Sequence, residues 1–474
     1  MNNRKIPRAQ NAVPKLCSYS FLSLIIVAYA FLALEGELRL AIPLLVGITA
    51  TMTIVLAGML YHGERGGIAW PPYVILAVAL LLRLMFLFSP PQLSDDIYRY
   101  QWDGSNLLQG INPYAAAPSQ VKPPSSLSLI HSRINHPDYV TIYPPTAQVV
   151  FAGGATLGNA IIGIKGFLVM MDMVLCALLI LLLKRLEMPA WWAILYAWNP
   201  LPVLEIAGSG HVDGAGLALM IGSFCPLVIT RRNDSANRPQ SWPFFFSGAL
   251  LAGAGLVKLF PFLLTPVLFL LVPARRRLHF LAGFITTLAA LILPFLPHLV
   301  NITDSLNAYA RNWEFAGFVF NTLRTITGSG TYARLILLCC FLLVYIAIIL
   351  YLIKGIRHDE SPITRARRAL QSCCAVAMAL LLLTPTLHPW YALCLVVFLP
   401  FCPGPAGLVL GWVVFLAYQV QIPYFMLGRW IENPQVTAAI FWAPVTAYLL
   451  SKVCSGTRQS SVSWPSLFCF RLVQ

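Results

Sequence analysis

Residues 335–353 read LILLCCFLLVYIAIILYLI, nineteen residues with no charge, glycine or proline. As a helix rising about 1.5 Å per residue, this run spans roughly the 30 Å hydrocarbon layer of a bilayer. It is apolar on every side, as is Leu175 to Leu183, so it lacks the alternation that a strand of a membrane barrel requires. A helix that satisfies its own backbone inside lipid is the reading that remains. Runs of the same kind recur at 17–35, 40–61, 70–89, 162–183, 189–206, 214–230, 243–257, 259–273, 279–297, 369–385, 389–403, 406–421 and 435–451. The predicted fold class is all-α, a polytopic transmembrane helical protein of about 12–14 spans. Of 474 residues, 58% are hydrophobic and 10% charged, whereas soluble domains carry about 25% charge. A mean hydropathy of +0.74 agrees, and a soluble enzyme is excluded. With no internal repeat, low-complexity tract or separate soluble segment, residues 1–474 are read as one integral membrane domain. Residues 90–160 then form an extracytoplasmic loop with surface-lying helices.

The formal charge of +15 is a topology signal once its placement is considered. With the N-terminus inside, cytoplasmic segments collect 21 of the 32 basic residues, in clusters at Arg4–Lys15, Lys184–Arg185, Arg231–Arg238, Arg275–Arg277, Lys354–Arg368 and Lys452–Arg471, with Arg65 besides. This satisfies the positive-inside rule, places both termini in the cytoplasm, and calls for no nucleic acid. The N-terminal run resembles a signal peptide but lacks a small-residue cleavage site, so 17–35 is read as an uncleaved first span. Tyr143 to Ala160 is apolar enough to cross, yet a span there would put Arg275–Arg277 and Lys354–Arg368 outside. It is therefore expected to be a half-inserted or surface-lying helix. The eleven cysteines include no CxxC pair and read as small core residues, not a disulfide or metal framework.

The residues with chemical character fall on the outer face, in the segments SDDIYRYQWDG, HPDYVTIYPP, GSGHVDG, NWEF, LHPWY and GRWIENP. Asp95 and Asp96 follow a span directly, so both carboxylates sit near headgroup level, where a base can act on a lipid-linked substrate. Adjacent residues project differently, so one is expected to be the base while the other positions it, holds a cation or caps a helix. The plainer alternative is that Ser94-Asp95-Asp96 only N-caps a helix starting near Ile97. Arg99, in the same segment, is a candidate for substrate binding. His211 and Asp213 sit between glycines that allow close backbone approach to a ligand; the alternative is a tight interhelical turn. As a metal pair, HxD lacks a third ligand nearby. Lys258 interrupts an apolar region where a lysine costs about 2.5–3.5 kcal/mol unless it faces a cavity or anion, or snorkels. Arg324 and His388 are further outer donors that could contact a phosphate, or else a solvated loop charge and an interface histidine. Aromatics including Tyr143, Trp313 and Trp390 could stack on sugars or form an interfacial belt.

In order, SDDIYRYQWDG with GINPY, HPDYVTIYPP, YAWNPLPVLEIAGSGHVDG, LVKLFP and LHPWY resemble bacterial members of the glycosyltransferase C superfamily, with the best likeness to polyprenyl-phosphate-mannose-dependent mannosyltransferase-like proteins. The resemblance runs from about residue 70 to residue 400. It implies a catalytic acid in the first loop, carried to Asp95 or Asp96, with His211, Lys258 and His388 around the cleft. It also implies a polyprenyl-phosphate sugar donor, a glycan or glycolipid acceptor, and a cell-envelope enzyme in the inner or plasma membrane. No cofactor is called for, although a divalent cation is compatible. Transfer from a lipid phosphate needs a carboxylate for the acceptor proton and cations for the departing phosphate. Direct displacement would invert the anomeric centre. Two other readings stand beside this one: a transporter or flippase of lipid-linked substrates, and a polysaccharide polymerase or ligase. Carriers place ionisable residues near the midplane of repeated halves, and here only Arg83, Lys165 and Asp172 are available for that.

Overall fold

The computed structural model describes residues 12–65, 69–158, 160–230, 241–357 and 361–456. Among these it is helical throughout, with two isolated bridges at Thr386 and no strand. The basic residues Arg4, Lys5, Arg8, Arg231, Arg232, Arg238, Arg458 and Arg471 lie outside the described residues, as does Cys469.

The bundle opens with α1 (Ala12–Leu34), α2 (Ile42–Glu64) and α3 (Pro72–Leu87). A long excursion follows, carrying α4 (Asp96–Leu108) and α5 (Pro145–Ala155), before α6 (Ile161–Arg185) re-enters. Residues 190–208 follow as short helical pieces; α7 (Asp213–Thr230), α8 (Trp242–Gly255), α9 (Thr265–Leu271) and α10 (Arg277–Ile292) come next. A second excursion holds the amphipathic α11 (Asn301–Asn312) and α12 (Phe318–Thr327). Then come α13 (Gly330–Arg357), α14 (Pro362–Leu382), broken turns from 389, α15 (Pro405–Val413) running on to Leu427, and α16 (Pro434–Gly456). Among the described residues, seven helices are long and apolar enough to cross a membrane, and four shorter apolar helices accompany them. The chain is a multi-pass membrane protein. On α13, Leu335, Leu338, Leu343, Ile346 and Leu350 are all exposed, an apolar surface that only lipid or another apolar partner would cover.

Tyr143 to Ala160 contains α5, whose eleven residues reach only about 16 Å as a helix. It does not cross. It packs on α4 so closely that a Cβ on Gly104 would lie 2.4 Å from the Phe151 carbonyl oxygen. Under this cover α4 is buried continuously from Ile97 to Ser105, an enclosed helix at the end of the bundle.

The charges within or beside apolar runs, Arg83, Asp172 and Lys165, are all bonded internally. Arg83 and Asp172 are fully buried, with Nε donating to Oδ2 at 2.6 Å. Arg83 also donates to the Ala79 and Ala197 carbonyls, and the Tyr196 hydroxyl donates to Asp172 at 2.6 Å. The pair therefore ties α3, α6 and the short helical pieces of 190–208 together. Lys165 donates to the carbonyls of Phe86 and Ser89 at 2.7 and 2.6 Å, closing the open C-terminal end of α3 with a cation where the helix dipole favours one.

Candidate active site

Lys165 also fixes where the acidic motif begins, because the residues after Ser89 leave α3 from the carbonyls it holds. The Gln92 side chain donates to Gly36 O at 2.8 Å and accepts from Leu38 N at 2.6 Å, while Gln421 donates to Leu93 O at 3.3 Å. The linker is clamped from three sides before α4 starts. Ser94 Oγ accepts the Asp96 amide at 3.3 Å, while Asp95, at the N-cap of α4, makes no side-chain capping bond.

The two acids diverge. Asp96 accepts from Asn135 Nδ2 at 2.9 Å on one oxygen and from the Tyr143 hydroxyl at 3.1 Å on the other, and Tyr100 donates to Tyr143 at 3.1 Å. His211 Nδ1 stands 3.9 Å from the same oxygen that Tyr143 holds. Asp95 is exposed at the rim; partial desolvation raises its carboxyl, with Arg39 opposing, Asp96 adding, and Arg133 opposing.

His211 reaches Asp96 because Gly210 takes a φ of +79°, and because a Cβ there would lie 2.3 Å from Ile97 Cδ1. Both constraints require glycine. The imidazole is fully buried, and neither ring nitrogen has a hydrogen-bond partner among the described residues. Burial, together with Lys258 and His388, holds it well below the ordinary histidine range. It stacks on Trp390 at 4.2 Å, and Trp390 stacks on His388 at 4.4 Å. His388 is placed by a knot of backbone bonds: Phe315 N to Pro385 O at 3.1 Å, and Leu387 N to Phe315 O at 2.7 Å.

Lys258 donates to both oxygens of Asp213, at 2.8 and 2.7 Å, and lies 5.4 Å from the Tyr391 ring centre. The Tyr391 hydroxyl hydrogen-bonds that of Tyr309. Behind His211, the fully buried Glu205 accepts from the Tyr418 hydroxyl at 2.8 and 2.9 Å, and its Oε2 is 3.4 Å from His211 Nε2.

Asp96, His211, Asp213, Lys258 and His388 thus share one cluster with Tyr143, Trp390 and Tyr391. Arg99 does not enter it. That side chain is buried, donating to Asp103 at 2.8 Å and to Tyr139 O at 3.0 Å, and so staples α4 to the segment before α5. Arg324 pairs with Glu314, which also accepts from Arg334 at 2.8 Å. Asn135 and Tyr418 carried no signal in the sequence: one is an amide in a loop, the other a tyrosine within an apolar run. Among the described residues, no group of three or more His, Cys, Asp or Glu could hold a metal ion.

A many-span helical bundle whose chain links converge on a clamped carboxylate, imidazoles and aromatic rings is built as a membrane-embedded glycosyltransferase of the C-type fold. Residues 28–274 match the N-terminal domain of the alpha-(1->6)-mannopyranosyltransferase family, and the chain belongs to that family. It is a mannosyltransferase. A comparison with curated proteins finds none that matches.

Proposed function

We propose that this mannosyltransferase takes mannose from a polyprenyl-phosphate donor and passes it, with inversion, to a glycan or glycolipid hydroxyl on the extracytoplasmic side of the inner or plasma membrane. The observation that carries the reading is Asp96, a carboxylate held by Asn135 and Tyr143 at the end of a span and facing His211. In this scheme Asp96 takes the acceptor's hydroxyl proton as that oxygen bonds to C1 of the mannose. The bond from C1 to the phosphate oxygen breaks, and polyprenyl phosphate leaves without needing a proton. A β-linked donor would give an α-linked product, which agrees with the linkage in the family's description. An apolar groove of about 390 Å³ between α6, α7 and α8, lined in part by Leu178, Leu219 and Trp242, suits part of a hydrocarbon chain. The transporter reading loses support because Arg83, Asp172 and Lys165 are all engaged in fixed internal bonds. The direct test is to supply membrane vesicles with radiolabelled polyprenyl-phosphate mannose. Label entering a glycan supports the proposal; label crossing unchanged, or none incorporated, sinks it.

Orientation has its own test. Single cysteines at Gln120 and Asn307 should react with an impermeant maleimide from outside intact cells, and one at Ser361 should not. Labelling at Ser361 from outside would overturn the placement of the site.

Lys258 is a cation of the cluster and the candidate for the departing phosphate, but it already holds Asp213. Removing it alone would strand a carboxylate, so the informative change is Lys258→Met together with Asp213→Asn. A charge-assisted phosphate contact contributes about 1.5–3 kcal/mol, and the double variant should raise donor KM roughly ten- to a hundredfold. Donor titration in nanodiscs reads this directly. An unchanged donor KM would make the pair a structural tie.

A further inference from the structure

The function proposed above leaves Glu205, a fully buried carboxylate one turn behind the cleft, without a task. It also leaves unexplained why His211 is buried with both nitrogens unpartnered. The two face each other. From Asp96 inward the order is Oδ2, then His211 Nδ1 at 3.9 Å, then Nε2 to Glu205 Oε2 at 3.4 Å, with Tyr418 bonded to both Glu205 oxygens at 2.8 and 2.9 Å. Each gap is a little longer than a hydrogen bond, and catalytic hydrogen bonds commonly tighten only when substrate is bound. Tyr143 donates to the same Asp96 oxygen, Trp390 covers the imidazole face, and Asp213, Lys258 and His388 complete the charged or titratable surroundings.

We propose that His211 and Glu205 form a proton relay that withdraws from Asp96 the proton it has taken from the acceptor. The inference rests on Asp96 being the base. After transfer, Asp96 carries a proton on Oδ2 and neutral His211 carries one on Nε2. The Asp96 proton passes to His211 Nδ1 while the Nε2 proton passes to Glu205 Oε2. Two protons are present before and two after, and the imidazole exchanges tautomers without becoming charged. Protonated Asp96 is, by microscopic reversibility, the acid of the reverse reaction. Emptying it while the lipid phosphate is still bound therefore commits the transfer forward. Once the product has left, the proton returns along the same path and escapes from Asp96, whose side chain is 22% exposed. Glu205 acts through His211 and is a positioning and relay residue.

Glu205→Gln keeps size and shape but cannot receive the proton. In nanodiscs, with donor and acceptor saturating, it should lower kcat by at least about tenfold with both KM values unchanged. Its kcat should then rise with imidazole buffer concentration at constant pH, because an external base takes over from Glu205, while wild type stays flat. Glu205→Asp, with its carboxylate withdrawn by one methylene, should show the same buffer dependence in weaker form and serves if the first variant fails to fold. A wild-type kcat in these variants, or a lowered kcat that ignores the buffer, overturns the relay. Asp96→Asn measured alongside separates the two ideas. If it is inactive while Glu205→Gln behaves as wild type, the base stands and the relay falls; if it turns over normally, both fall.

Discussion

Asp96→Asn is expected to lower mannosyl transfer by about 10²- to 10⁴-fold, the range that a positioned general base contributes. The amide keeps the size of the carboxylate and an oxygen to accept from Asn135, so the clamp at the start of α4 should survive and the protein should insert and fold. What it loses is the lone pair that would take the acceptor proton. Asp95→Asn is the internal control. That side chain is at the rim with Arg39 and Arg133 as its charged neighbours, and its variant should keep most of the wild-type kcat. Single-turnover transfer of radiolabelled mannose by purified protein gives both numbers. A normal rate for Asp96→Asn, or loss of activity in Asp95→Asn alone, would move the base elsewhere.

The second large effect concerns the fold. Asp172→Leu leaves the Arg83 guanidinium, completely buried, without its counter-charge. Removing one partner of a buried pair costs about 3–5 kcal/mol, whereas replacing both with apolar residues is often neutral. The single variant should therefore give little monodisperse protein and a strongly lowered unfolding temperature. The double variant Arg83→Met with Asp172→Leu should recover most of both. The recovery is the informative half, since it distinguishes a structural tie from a charge needed for transport or catalysis. If the double variant is stable but inactive, the pair belongs to function after all.

The charge pattern and the apolar runs disagree over one stretch. By hydropathy alone Tyr143 to Ala160 qualifies as a span, whereas the basic clusters further along argue against a crossing there; in the structure the stretch holds α5, a helix of eleven residues. The helices of this loop are expected at the membrane surface, and within the protein α4 is covered from Ile97 to Ser105. Its polar residues suggest exposure, yet Arg99, Gln101 and Asp103 are buried, with Arg99 and Asp103 paired to each other. A buried ion pair and a solvated one look the same in one dimension.

Sequence by itself determined the class of the protein, because composition and run length report directly on the solvent in which each segment sits. It also singled out the acidic loop, GSGHVDG, Lys258 and LHPWY, which the fold gathers into one cluster. Tertiary structure alone decided which members act together. Asp95 and Asp96 are neighbours in the chain, but only the packing of α4 under α5 turns one toward His211 and leaves the other at the rim. Arg99, Arg324 and Lys258 are equally plausible cations until their partners are known, and those partners lie 4, 10 and 45 residues away. Glu205 and Tyr418 meet across 213 residues. Such pairings arise from how spans pack side by side, and hydropathy, which is a property of each span separately, carries no record of its neighbours.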